Sequence, residues 1–320
     1  MKKHEFIKET PVVIYDKDGF PSMMLKLENV APTADQADRI FFVKGQEYDS
    51  IYLSRFLNSV VDGHAVSLPF MDPKVNIPMD QAIAAIKAKG EKWHLLTNAE
   101  WRYIIDTIAE GTHGNTAFGA YHGDTSEVGI RVPNSSGRIL TGSGPASWFH
   151  NGNKETGIAD AIANIWKIIA GLRLRGGVLE YMKDNDAAAP DADLSKTSEE
   201  FVRVMIGDKP VKIGAGKEGL IITTGEVEGW EAVERREVII DLEEIPDILK
   251  DLGIITDNMK DSSEWFAADA DLDEAIAIGG GGWSSTSDAG PSAMGLNSPR
   301  SYSYANIGFF SALLGEPVRR

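Results

Sequence analysis

A chain of 320 residues without one cysteine must hold itself together by packing and backbone hydrogen bonds alone. Disulfides, thiolate metal sites and cysteine nucleophiles are excluded together. The length suits one large domain with an insertion, or two domains. Hydrophobic residues at 42% and charged residues at 25% are ordinary for a globular protein. No apolar run reaches the length of a membrane span, so no membrane insertion is expected. The start, Met1-Lys2-Lys3-His4-Glu5, is followed by no apolar h-region, so no secretory signal is expected either. A place of work outside the cytoplasm would then need a route other than secretion.

The net charge of −16 argues against nucleic acid as a partner. Its distribution is uneven. Between Val178 and Ile278 stand 26 acidic and 10 basic residues, and the remaining 22 of each sign cancel. Residues 178–278 therefore read as an acidic insertion, solvated and possessed of its own elements. It would divide the chain into a lead-in (1–45), a first part of the main domain (46–177), the insertion, and a C-terminal part (279–320).

Local punctuation gives two clear helices, short strands and many loops, an α+β chain. IYLSRFL (51–57) reads as a strand before a turn at Asp62-Gly63, and another turn falls at Asp18-Gly19. In DQAIAAIKAKG, Asp80 suits an N-cap and Gly90 a C-terminal stop. Thr97 and Glu100 form a T-x-x-E capping box ahead of Trp101, Ile104, Ile105 and Ile108 at helical spacing, with Gly111 as the stop. Residues 111–153, rich in Gly, Ser, Asn and Thr, read as loops and short strands. Ala170–Leu174 is strand-like. Within the acidic stretch, 195–206 resembles a capped helix, 220–224 and 237–242 strands, and 245–253 a short helix ending on Gly253.

Motifs for chemistry are few. Asp269, Asp271 and Asp273 alternate as in a calcium loop, but Glu274 and Gly280 occupy the positions that need Gly and Glu. The histidines, His4, His64, His94, His113, His122 and His150, form no H-x-H or H-x-x-x-H pair, and His94 beside Trp93 suits packing. GGGGW (279–283) precedes no Lys-Ser or Lys-Thr helix, so it is no phosphate loop. It suits a strand passing close to neighbouring backbone. No metal and no cofactor is predicted.

Four separated pieces carry a resemblance. LLTNAEWRYI (95–104), GIADAIANIWKII (157–169), GGGGWSS (279–285) and NIGFFSALL (306–314) are similar, in order, to segments of the formylglycine-generating-enzyme type of C-type lectin fold. Ala163 stands where that family has Gly, Lys167 and Ile168 replace Glu-Trp, and Phe310 replaces Arg. The family's catalytic cysteines are absent, so the resemblance implies the fold and not the catalysis. GGGWSSTSDAGPSAMGLNSPRSYSYANIGFF (280–310) further resembles the C-terminal repeat of the variable proteins of diversity-generating retroelements, several of which set phage tropism. The resemblance implies a C-type lectin scaffold displaying a diversified ligand-binding surface. Its positions here would be Trp283, Ser284, Ser285, Thr286, Asp288, Ser292, Ala293, Gly295, Ser298, Tyr302, Tyr304 and Ala305. Ala289, Gly290, Leu296, Arg300, Ser301, Ser303, Ile307 and Gly308 would be framework.

Tyr supplies rigid amphipathic contact area, and Ser, Asn and Gly supply adjustable hydrogen bonding, the composition of a binding face. S-Y-S-Y alternation would place Tyr302 and Tyr304 on one side of an extended segment, with Ser301 and Ser303 toward the scaffold. Trp148 and Trp166 are read as core, and Trp283 as core or pocket wall. The implied function is a phage or prophage tail-tip adhesin, not an enzyme, binding a bacterial surface protein or glycan. Oligomerisation follows from avidity, as a trimer by analogy. The alternatives are a metal-dependent oxidase of the formylglycine-generating type and a bacterial adhesin of fixed specificity.

Overall fold

The computed structural model describes residues 4–109, 112 and 129–319. His113, His122 and the expected helix stop at Gly111 lie outside them. The described residues carry three short α-helices and many strands.

Two sheets dominate. In the smaller, strands Ile7–Tyr15, Pro21–Asn29, Ser50–Ser54, Ser311–Leu314 and Trp93–Leu95 lie side by side in that order, all antiparallel. Its first two strands form a hairpin turned at Gly19, φ +87°, where the Asp16 carboxylate accepts the N–H groups of Asp18 and Phe20. Residues 7–29 supply two of this sheet's five strands, with Leu25 and Leu27 packed into the core on one face and Met24 into a second apolar cluster on the other. Asp62 (φ 48°) and Gly63 (φ 86°) join the Ser59–Val61 and His64–Val66 strands, two successive left-handed residues as the tightest hairpin turns require.

The larger sheet has eleven strands. Trp166–Arg175 lies near its middle, between Ala275–Gly279 and Val178–Tyr181. The acidic stretch does not stand apart as a subdomain. Met205–Ile206 and Lys209–Pro210 pair by themselves, but most of its strands, among them Val178–Tyr181, Lys212–Gly216, Gly219–Thr223, Ile239–Asp241, Trp230–Glu234 and Trp265–Asp269, belong to this sheet. Their apolar side chains, Leu179, Ile213, Leu220, Ile222 and Phe266, share one core with Trp101, Ile162 and Ile169. Many of the stretch's acidic side chains, Glu218, Glu226, Glu243, Glu244, Asp251 and Asp271 among them, are exposed, while Glu180, Glu264 and Glu274 are buried.

Helix α1 (Met79–Lys87) is capped by Pro78, with Asp80 inside its first turn rather than at the cap. Helix α2 (Asn98–Ile105) has both halves of the capping box: Thr97 Oγ1 accepts the Glu100 N–H at 3.2 Å and Glu100 Oε2 accepts the Thr97 N–H at 3.0 Å. Such a cap contributes about 0.5–2 kcal/mol. Helix α3 (Asp247–Asp251) ends at Leu252, followed by Gly253 at φ +74°. Residues 195–206 form no helix. Val202 and Arg203 pair with Tyr181 and Glu180, and Phe201 lies under the Arg173 guanidinium at 3.8 Å. Strand pairing and that stacking outweigh the local capping pattern.

Candidate ligand-binding surface

The glycine run is where the C-terminal segment enters the fold. A Cβ on Gly279 would meet the Trp101 indole at 2.8 Å, and one on Gly282 would meet Trp166 Cδ1 at 3.0 Å. Gly280 and Gly281, at φ +83° and +79°, reverse the chain between these two rings. Only glycine allows both the approach and the dihedrals.

From there the segment divides into loop, strand and loop. Residues 282–291 form a compact loop. Ser285 Oγ accepts the Gly282 N–H at 3.0 Å, the Ser285 N–H returns to the Gly282 carbonyl at 3.1 Å, and Thr286–Asp288 make one 3-10 turn. Met294–Ser298 is then an inner strand, parallel to Trp265–Asp269 on one side and antiparallel to Ala275–Gly279 on the other. Residues 299–306 form the second loop. Its Tyr302 N–H donates to the Pro299 carbonyl at 2.8 Å, and its Tyr304 carbonyl accepts the Asn76 N–H at 3.0 Å. Strand Ile307–Phe309 finally runs beside Trp166–Ile168.

This division sorts the twelve expected surface positions. Ser284, Tyr302 and Tyr304 are exposed, and Trp283, Ser285, Thr286, Asp288 and Ala305 are partly exposed. Ser292, Ala293, Gly295 and Ser298 are buried. Gly295 sits opposite Ala267 and Ile278, and Ser298 opposite Ile276, in a strand paired on both edges. Gly295 and Ser298 thus serve sheet packing, Ser292 and Ala293 are buried in the turn before the strand, and none of the four positions reaches the surface. The two loops come together at one point: a Cβ on Gly282 would lie 3.4 Å from Asn306 Nδ2, above Trp166.

Tyr302 and Tyr304 are 40% and 54% exposed. Their rings lie nearly parallel, 9° apart with centroids 6.0 Å from one another. Ser301 and Ser303 do not face the scaffold. They too are exposed, because 300–304 is a turn and an irregular stretch rather than a strand. Trp148 and Trp166 are buried as expected. Trp283 lies partly exposed against Gly137, with ring carbon Cε3 2.2 Å from where a Cβ would stand. The sequence did not signal Asn76, whose N–H holds Tyr304, nor Gly137, which seats Trp283. Both contacts join loops far apart in the chain.

The titratable clusters lie elsewhere. Glu100 is fully buried and accepts from Asn185 Nδ2 at 3.1 Å, with His94 Nε2 at 2.7 Å. Burial alone would raise its carboxyl. The His94 ring, the Thr97 N–H and the Asn185 amide together outweigh burial and hold it below the usual Glu range. His94 thus braces the capping glutamate. Asp160 and Lys167 are both fully buried, and desolvation pushes the lysine down and the aspartate up. Asp271 accepts the Gly229 N–H at 2.8 Å and Asp273 pairs with Lys196 at 2.9 Å, so the alternating aspartates are used in turns and pairs. Among the described residues, no group of three or more His, Asp or Glu side chains is arranged to hold a metal ion. No described helix is long and apolar enough to cross a membrane.

No family model matches the chain, and no curated protein matches it. Solved structures give remote likenesses. The Major Tropism Determinant U1 variant is 14% identical over 87% of this chain and 52% of its own, with a TM-score of 0.35. The P3c variant of the same determinant is 13% identical over 96% of this chain and 62% of its own, with a TM-score of 0.34. PvdO from Pseudomonas aeruginosa is 13% identical over 96% of this chain and all of its own, with a TM-score of 0.32. The chain spans about half to three fifths of the length of the two tropism determinants.

Proposed function

We propose that the chain is a receptor-binding module of a phage or prophage tail tip, built on a C-type lectin scaffold, with loops 283–288 and 301–305 as its binding face. The carrying observation is the exposed, stacked Tyr302–Tyr304 pair on a segment poor in charge and rich in Ser and Gly. Exposed tyrosines flanked by small hydroxyl residues give contact area at little cost in side-chain entropy. The sequence resemblance of 280–310 to the variable repeats of diversity-generating retroelements adds to this reading. The ligand would be a protein or glycan of a bacterial surface, and several copies of the module would act together. The reading is binding, not catalysis.

The test is adsorption of the fluorescently labelled protein to a panel of bacterial strains. Wild type should label a subset of strains, and Tyr302→Ala with Tyr304→Ala should abolish labelling while the circular dichroism spectrum stays unchanged. Labelling that survives the double substitution would move the binding face elsewhere. Sequencing the gene's surroundings adds a second check: a near-copy of the 3′ end differing at adenines, beside a reverse transcriptase gene, would mark the loops as diversified.

A further inference from the structure

The acidic stretch reaches the C-terminal segment through two buried ion clusters. The first grips the turn before the inner strand. Arg235 is fully buried and its guanidinium lies over Phe266 at 4.2 Å. Its Nε donates to the Ser292 carbonyl at 2.9 Å, Nη1 to the Ile254 carbonyl at 2.5 Å and Nη2 to the Gly253 carbonyl at 3.0 Å. Glu264, also buried, accepts the Ser292 N–H through Oε2. Gly290 makes room, since a Cβ there would stand 2.5 Å from the Glu264 carboxyl carbon. Both polar backbone groups of Ser292 are therefore held by opposite charges, and its side chain takes no part in either bond.

The second cluster grips the turn after that strand. Arg300 donates through Nε to Glu274 Oε2 at 2.7 Å, and also to Asp80 and to the Leu194 carbonyl. Glu274 is buried, and its Oε1 accepts from Arg173 at 3.3 Å. Arg173 is itself tied to Glu180 at 2.9 Å and to the carbonyls of Ser195, Lys196 and Ser198. A buried pair stripped of one partner leaves an uncompensated charge, so such clusters tolerate little displacement.

We propose that Arg235, Glu264, Arg173 and Glu274 are positioning residues of the binding face, and that the acidic stretch is the frame which fixes loops 282–291 and 299–306 while their outward side chains change. The inference rests on the proposed function for the word binding, but its geometry does not. The hydrogen bonds by which the clamps hold the segment go to the Ser292 backbone and to the Arg300 side chain. A face built this way can exchange specificity without rebuilding its support.

Hydrogen exchange of the full chain, read by mass spectrometry without any ligand, tests it. Glu264→Gln should speed exchange across 288–293 about tenfold or more, led by the Ser292 amide, with 21–29 and 50–54 unchanged. Glu274→Gln should do the same for 299–304 and for the Met79 amide, which donates to the Arg300 carbonyl, and leave 288–293 protected. Arg300→Lys, which keeps charge but not the paired donors, should resemble Glu274→Gln. Unchanged exchange in the loops, or equal loss of protection in the loops and in 21–29, would overturn the proposal. Should Glu264→Gln fail to fold, the Glu274 and Arg300 variants decide alone. Because no ligand enters, failure of strain adsorption leaves this result standing, and failure of the clamp leaves the adsorption test standing.

Discussion

Gly137 seats the indole of Trp283: a Cβ on Gly137 would fall 2.2 Å from ring carbon Cε3 and 2.4 Å from Cδ2. The contact ties the start of the 283–288 loop to a loop nearly 150 positions earlier. Gly137→Ala must therefore push the ring outward. The expected cost is about 1–3 kcal/mol, as for overpacking, with red-shifted tryptophan emission. Urea unfolding followed by fluorescence measures both. An unshifted spectrum and an unchanged midpoint would mean that the ring does not rest there.

Ala163 lies at φ +60°, fully buried, where the resembling family has glycine. Its N–H donates to the Gly280 carbonyl at 2.8 Å and its carbonyl accepts from Lys167 Nζ at 2.7 Å, so the left-handed conformation is fixed from both sides. Alanine there costs about 1–2 kcal/mol, offset by about 0.8 kcal/mol from its buried methyl. Ala163→Gly should change stability by less than about 1 kcal/mol, because relief of strain, loss of the methyl and added chain entropy nearly cancel. Ala163→Val, β-branched in the same conformation, should cost more than about 2 kcal/mol. Chemical denaturation of the pair checks the ordering, which reverses if this turn relaxes.

Which parts of this architecture the sequence showed follows from the range of the interactions involved. The Thr97 capping box, the Asp62-Gly63 turn and the Gly253 stop are settled within four residues and were legible. The glycine run was legible as a close approach, though not as a passage between Trp101 and Trp166, because both rings come from elsewhere in the chain. Gly295 and Ser298 looked like surface positions because small residues suit an adaptable face and a crowded inner strand equally well. Only the pairing of Met294–Ser298 on both edges separates the two. Likewise, nothing local in 195–206 reveals that Val202 faces Tyr181, and composition could not show that the acidic stretch shares the core.

His4 lies between two carboxylates, with Nδ1 2.7 Å from Asp38 and Nε2 3.3 Å from Asp106, and edge-on to Tyr103. Burial lowers its affinity for the proton, but the hydrogen bonds to Asp106 and Asp38 and the two charges outweigh burial and push it up to about 8 from 6.5. A raised pKa adds stability that is fully present below the unfolded value and is lost as pH rises through the folded one. The window is therefore pH 6.5 to about 8. The partly exposed site reduces the contribution through solvent screening to about 1 kcal/mol. Urea midpoints of wild type and His4→Gln should converge from pH 6 to pH 9. A constant gap across that range would show that the two carboxylates do not raise the imidazole's affinity for the proton.

Loop and strand positions of the C-terminal segment should differ sharply in what they tolerate. Ser284→Ala, Thr286→Ala and Tyr302→Ala alter exposed or partly exposed side chains, and each should move stability by no more than about 0.5 kcal/mol. Thr286, at φ +42°, should gain from glycine rather than lose. Gly295→Val, by contrast, forces a branched side chain toward Ile278 Cγ1, 3.0 Å from the first added carbon, and Trp265 Cζ3 at 3.1 Å. Both neighbours are fixed by sheet packing, so overpacking should cost about 1–3 kcal/mol or more. Ala293→Asp places a carboxylate at a site 1% exposed, where desolvation without a partner is worse still. Thermal melts of the six variants, compared with strain adsorption for each, would separate the roles: loop changes should alter binding without lowering the melting temperature, and the Gly295 and Ala293 changes should lower the melting temperature first. If the Ser284 and Tyr302 variants melt early while Gly295→Val melts normally, support and face have been assigned the wrong way round.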